Sequence, residues 1–183
     1  QVDLIGGKSS FCQVFFDGVR VPRENLVGEL NGGWALAKRL LQHERRAMSK
    51  FGEISLPTHF DLLALLRDYL PEPQGRAEQA LHLRAIRCRM EEHAFELTQR
   101  RMAEQMHAGQ DASDLMAIMK LVHSEQEKEK FEVLLDVLGL RALGWEESSF
   151  TDQELALTRA WLGSFAQTIA GGSSEVQLNV IAK

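Results

Sequence analysis

The chain has 183 residues, 44% hydrophobic and 26% charged, a balance that supplies one sizeable core and excludes a disordered segment. A net charge of -5 leaves no broad basic face for nucleic acid, and no apolar run approaches the roughly 20 residues needed to span a bilayer. Two cysteines, Cys12 and Cys88, make neither a disulfide framework nor a zinc site, so a reducing, cytoplasmic setting is expected.

Gln1 leads straight into strand-like sequence with no secretory signal, and without Met at its start the chain reads as a fragment, a processed product or an excised domain. Residues 1–29 stand apart from the rest. Their "FCQVFFDGVRVP" is rich in Phe and Val, broken by the turn dipeptide Asp17-Gly18 and closed by Pro22. It predicts one or two strands with little to pair with, and a lone hairpin is marginal in water. After "GELNGG" the pattern becomes helical. Trp34, Ala37, Leu40 and Leu41 open a first helix that runs to about Leu56, where Pro57 breaks it. "THFDLLALLRDYL" resumes the helix and "PEPQG" ends it in a loop. A second long helix, about 76–108, carries Leu83, Ile86, Met90, Ala94 and Leu97 at steps of three and four. Gly109 caps its end, and Asp111 or Ser113 starts a third helix over about 112–139. Thr151 and Glu154 form a capping box before a fourth, whose stripe is Leu155, Thr158, Leu162, Phe165 and Ile169.

Four long helices with short connections predict an all-α fold, an antiparallel four-helix bundle, with a short β segment at the N-terminus. Within the third helix, "HSEQEKEKFE" (123–132) interrupts the apolar stripe. It reads as a solvated face, or as one turned to another subunit or a ligand. A last short helix follows "IAGGSSE", a glycine- and hydroxyl-rich turn with no acid among its first residues.

Bundles often house di-iron sites, which need a Glu-x-x-His pair on each of two helices. Of six histidines only His107 has a glutamate three residues earlier, Glu104, so no metal is expected. Phosphate cradles of the Walker type and dinucleotide fingerprints are absent. Free N–H groups at Gly32-Gly33 suit an anion, but such a start is more often only a tight entry into a helix. Glu44, in "LLQHERR", has Leu40, Leu41, Ala47 and Met48 three and four positions away. Beside such a stripe a carboxylate is desolvated and becomes a stronger base. Spacing alone also fits an ordinary helical glutamate.

Two motifs go further. "FFDGVRVPRENLVGELNGGWALAKRLLQHER" and "IAGGSSEVQLNVIAK" together resemble the acyl-CoA dehydrogenase family. The first matches F-D-x-V-x-V-P-x-x-N-x-V-G-x-x-x-x-G-W-x-x-A at Phe16, Asp17, Val19, Val21, Pro22, Asn25, Val27, Gly28, Gly33, Trp34 and Ala37. The second is similar to the closing E-G-T-S-E-I-Q-R, or its G-G-T-S-E-I-Q-R-N variant. The resemblance implies that residues 1–29 end a middle β-domain and that 30–183 form the C-terminal four-helix bundle domain.

It also implies the chemistry: FAD-dependent α,β-dehydrogenation of an acyl-CoA thioester, with a carboxylate taking the α-proton. Many relatives carry that glutamate on the turn, where this chain has Gly171. Others, including isovaleryl and long-chain types, carry it on the first long helix in a segment resembling L-x-x-E-R, which matches Glu44. The same alignment makes Arg45 a contact to CoA, on a side chain otherwise read as a surface arginine. Gly171 and Gly172 then border the substrate, and Ser173, Ser174 and Glu175 meet FAD, a role compatible with simple capping of the last helix. Where relatives show Q-x-x-G-G-x-G, a contact to a neighbouring subunit's FAD, this chain has Asp136 and Gly139 but Leu140 for the second glycine, and Leu178 replaces the usual final Arg. Implied partners are an acyl-CoA substrate, electron-transfer flavoprotein or a similar acceptor, and other subunits in a dimer, a dimer of dimers or a mixed tetramer. The alternative is a non-catalytic scaffold or oligomerisation subunit of such a mixed assembly. The isolated chain is expected to be inactive.

Overall fold

The computed structural model describes residues 1–7, 11–48, 60–110 and 113–182, without the side chains of residues 42, 45–48, 113 and 114. Contacts divide the chain into two compact units, Gln1–Leu4 with Lys8–Pro57, and Ile5–Gly7 with Thr58–Lys183.

In the first unit a 3-10 turn, Arg23–Asn25, precedes α1, Gly33–Met48. Gly28, at φ 80, sits close to that helix, where a Cβ would stand 2.9 Å from the end of the Leu36 side chain. The expected β segment is not formed among the described residues. One isolated antiparallel bridge joins Val2 to Phe11. Gly18 takes the turn conformation at φ 59, yet the flanks Phe15, Phe16, Val19 and Val21 are exposed and unpaired as strands. A strand exists only through ladder hydrogen bonds to a neighbour, and the described residues offer none to this segment. The part of the expected first helix beyond Met48, with its end at Leu56, lies outside the described residues, as does Asp111.

The second unit is built around α4, Ser113–Leu138, which packs against α2 (Leu62–Tyr69), α3 (Arg76–His107), α5 (Asp152–Gln167) and α6 (Ser174–Ile181). Asp61 caps α2 by accepting from Leu63 and Ala64 N–H. Gly109, at φ 73, follows the end of α3 as a left-handed stop. The Thr151–Glu154 capping box opens α5. Leu134, Val133, Ala85 and Leu157 are almost wholly buried at the centre, with Phe131 edge-on to Phe60 at 6.0 Å. A second cluster gathers Met102 and Met119 with Phe95.

The apolar stripes are placed differently from the sequence reading. Leu83, Ile86, Met90 and Leu97 of α3 are exposed, while Ala85, Cys88 and Met102 face the core. On α5, Phe165 is exposed, as is Ile169 just beyond its end, and Glu154, Leu157 and Ser164 are buried. Helical periodicity identifies an apolar face, but a long helix with two such faces does not reveal which one its own chain covers.

The 3-10 turn Gly139–Leu143 and the start of α5 are joined by a buried carboxylate. Glu154 accepts from Nε and Nη2 of Arg141, from the Tyr69 hydroxyl at 3.0 Å and from Thr151 N–H at 2.7 Å. Arg141 holds the Glu154 carboxyl far below the usual 4.5, at about 2, against the opposing effect of burial. Three segments distant in sequence thus converge on one side chain.

Candidate functional site

The turn between α5 and α6 is shaped by two successive glycines in the left-handed region, Gly171 at φ 69 and Gly172 at φ 99. Ser174 N–H closes it on Thr168 carbonyl at 3.0 Å, and Ser173 caps α6 by accepting from Val176 N–H. Glycine at 172 suits the backbone first and leaves room for a neighbouring side-chain end second. Its φ is hostile to a side chain, and a Cβ would lie 2.8 Å from Gln177 Nε2. Buried Gln177 uses that space to donate to Gly171 carbonyl at 3.1 Å.

Helix α4 supports the turn from beneath. Lys120 Nζ donates to Gly172 carbonyl at 2.7 Å. Ser174 Oγ donates to Glu125 at 2.8 Å, and Lys128 pairs with the other oxygen of Glu125 at 2.7 Å. Lys128 and the Ser174 hydroxyl lower the Glu125 pKa. Glu175, exposed at the start of α6, is lowered by its own backbone N–H and by the Ser173 hydroxyl. The Gly172 and Ser173 N–H groups have no partner among the described residues. Unpaired donors on a positive-φ turn at a helix start suit anionic or carbonyl oxygens such as those of a flavin cofactor.

The polar run of α4 therefore does more than face solvent. Ser124 is buried, Gln126 donates to Glu91 carbonyl, Lys130 pairs with Glu92 at 2.6 Å, and Glu125 reaches the turn. Sequence reading missed Lys120 and Gln177 as turn supports. A signal existed for the first: Lys120 is the one charge in "LMAIMKLV", where a half-buried cation needs an acceptor.

Of the residues singled out by sequence, the structure brings Gly171, Gly172, Ser173, Ser174 and Glu175 onto this turn. Asp136 lies about 24 Å farther along α4 than Lys120, from the rise per residue, and does not join it. There it accepts from Arg84 Nη1 at 2.7 Å. Gly139, at φ 57, starts the 3-10 turn just beyond. In the other unit Glu44 is exposed on α1, near Leu40 and Leu41, which are exposed too. Arg45 follows on the same helix, its side chain outside the description. Among the described residues no cluster suits a metal ion, and no helix is long and apolar enough to cross a membrane.

Comparison with known proteins gives a consistent picture. The family described as acyl-CoA dehydrogenase, C-terminal domain, matches residues 31–183. Acyl-CoA dehydrogenase FadE34 of Mycobacterium tuberculosis is 31% identical over 179 residues, 98% of this chain and 23% of that protein. The solved Tcur3481-Tcur3483 steroid ACAD superposes with a TM-score of 0.75 at 22% identity, over 99% of this chain and 46% of that one. The structure of PigA with FAD and proline superposes at 0.62 and 22% identity, over 91% and 42%. At such identities the two structures establish the shared fold alone, and the chain spans less than half the length of each of these three relatives.

Proposed function

The chain belongs to the acyl-CoA dehydrogenase family through its C-terminal domain, and from that premise we propose that it works within an FAD-dependent enzyme converting an acyl-CoA thioester to the 2-enoyl-CoA. FAD, when bound, supplies the acceptor for the β-hydrogen. The α-proton goes to Glu44, the carboxylate that stands on α1 where the turn carries Gly171 instead of an acid. Arg45 binds the CoA phosphates, for which a guanidinium has the right fork geometry and a permanent charge. Ser173, Ser174, Glu175 and the free N–H groups of the turn hold oxygens of the cofactor, and the backbone of Gly171 and Gly172 borders the thioester. Asp136 and Gly139 contact a neighbouring subunit's FAD.

The observation that carries this reading is the turn itself. It keeps hydroxyls and unpartnered amides where a flavin and a thioester carbonyl need donors, and it has no proton acceptor of its own at Gly171. A base must then come from elsewhere, and Glu44 is the carboxylate the family pattern offers. A positioned carboxylate contributes about 10²–10⁴-fold through general base catalysis. The exposed face of α3 (Leu83, Ile86, Met90 and Leu97) is the surface proposed to meet another subunit in a dimer or dimer of dimers. Electron-transfer flavoprotein or a similar acceptor reoxidises the enzyme.

One observation favours a second reading. Asp136 is engaged by Arg84, and Leu140, in place of a glycine, is exposed beside it. That end of α4 therefore departs most from a flavin contact, as in a scaffold subunit of a mixed assembly. Anaerobic addition of acyl-CoA to the purified FAD-loaded protein that carries this chain separates the two. Bleaching of the flavin absorbance supports the enzyme, and absence of bound FAD from the purified protein supports the scaffold. The isolated chain is expected to bind FAD weakly and to turn over no substrate.

A further inference from the structure

A trans peptide points its C=O and N–H in opposite directions, and no cis bond occurs among the described residues. Two successive peptide planes of the α5–α6 turn have their carbonyls fixed from within the bundle. Gly171 carbonyl accepts from Gln177, and Gly172 carbonyl accepts from Lys120 at 2.7 Å. The N–H groups on the far side of those same planes belong to Gly172 and Ser173, and neither has a partner among the described residues. Fixing the oxygens therefore aims the donors. We propose that Lys120 is the positioning residue of the turn: by holding Gly172 carbonyl against α4 it presents the Ser173 N–H, and with Gln177 the Gly172 N–H, to the oxygens bound there. The inference rests on the functional reading above, since it assigns those oxygens to cofactor and thioester.

The surroundings of Lys120 fit a tether. It is half-buried in an otherwise apolar stretch of α4, so a free ammonium would be costly there, and a carbonyl acceptor relieves that cost. Burial lowers its pKa, while the carboxylates of Glu125 and Glu175 push the other way. Glu125 in turn accepts from Ser174, so one carboxylate faces the tether and holds the next residue of the turn. Glycines at 171 and 172 give the backbone no side-chain preference of its own, which leaves the donor contacts to choose the peptide orientation.

Lys120→Met keeps the length and removes the donor, and Lys120→Arg restores a donor. In the 183-residue chain, amide resonances of Gly172 and Ser173 are expected to shift in the Met variant. Hydrogen exchange at Ser174 is expected to quicken by at least tenfold, while Val133 and Leu134 amides stay protected. In the FAD-loaded protein the Met variant is expected to lose roughly 10- to 100-fold in kcat, the scale of a small misplacement, with unchanged FAD content and less than about threefold change in KM. The Arg variant is expected to recover most of that loss. Unmoved Gly172 and Ser173 amides in Lys120→Met overturn the tether. A bleaching-competent wild type with an equally active Met variant overturns the positioning role while the functional reading stands. A wild type that takes up no FAD overturns that reading and the positioning role with it.

Discussion

The α5–α6 turn and helix α1 carry the residues to which we assign the proposed chemistry, and they are built in opposite ways. The turn is supported from inside its own unit: Lys120, Gln177 and Glu125 each hold one of its atoms within 3.1 Å. Helix α1 presents Glu44 on an exposed surface, with Leu40 at 69% and Leu41 at 44% exposure beside it. The donors of the turn are thus held by contacts within its own unit. The dry surroundings that a carboxylate base needs are, in our reading, completed on α1 only when substrate and cofactor cover it.

That contrast predicts where substitutions are felt. The largest effect is expected at the centre that supports the turn. Leu134→Ala removes a fully buried side chain of α4 and should destabilise the second unit by about 3–4 kcal/mol, read from the denaturant midpoint. Glu154→Ala should cost about 3 kcal/mol, because it leaves the Tyr69 hydroxyl and Thr151 N–H without their acceptor and breaks a pair whose carboxylate is buried. It should also alter the acid limb. Glu154 has a folded pKa of about 2 against a usual 4.5, so its contribution is full above about pH 4.5 and is lost as pH falls towards 2. Acid titrations of wild type and variant should converge across that window. The smallest effect belongs to α1. Leu40→Gln should shift unfolding by no more than about 0.5 kcal/mol, since the side chain is already in water. If the functional reading holds, the same change should weaken acyl-CoA-dependent flavin bleaching. A large stability loss from Leu40→Gln would break the contrast between the two regions.

How much of this was legible in the sequence differs by element. Helix limits were readable because their stops are local: Gly109 at the end of α3 and the Thr151–Glu154 box at the start of α5 act through neighbouring residues alone. The buried faces were not, since Leu83, Ile86 and Met90 are as periodic as any core stripe, and only tertiary packing decides that Ala85 and Cys88 go inside. The N-terminal segment shows the same limit. Its Phe and Val alternation and Asp17-Gly18 turn encode a preference for strand, but strands need partners, and the described residues show a single bridge at Val2 and Phe11. At the site, the motif supplied the turn residues from Gly171 to Glu175. Two of their supports, Lys120 and Glu125, stand on α4, 52 and 49 positions before the residues they hold and outside that motif, whereas Gln177 is the motif's own glutamine. On α4 the solitary Lys120 among apolar residues was the clue, and it identifies a half-buried cation without saying which carbonyl receives it.

Residues 123–132 teach a related point. A polar run on a bundle helix has two plain readings, solvent or partner, and this one serves the chain's own tertiary structure. Lys130 and Gln126 bind α3, and Glu125 binds Ser174 at the head of α6. Charged side chains with long stems cover apolar surface while their ends find partners, so a break in a hydrophobic stripe is not a break in packing.

The most direct test of the proposed chemistry isolates proton removal from everything that follows it. In the FAD-loaded protein carrying this chain, exchange of the α-hydrogen of a bound acyl-CoA is followed in deuterium oxide. Glu44 as the base predicts measurable exchange in the wild type and a rate at least about 10²-fold lower in Glu44→Gln, with FAD still bound. Exchange of equal speed in the two proteins would place the proton acceptor elsewhere and contradict the assignment.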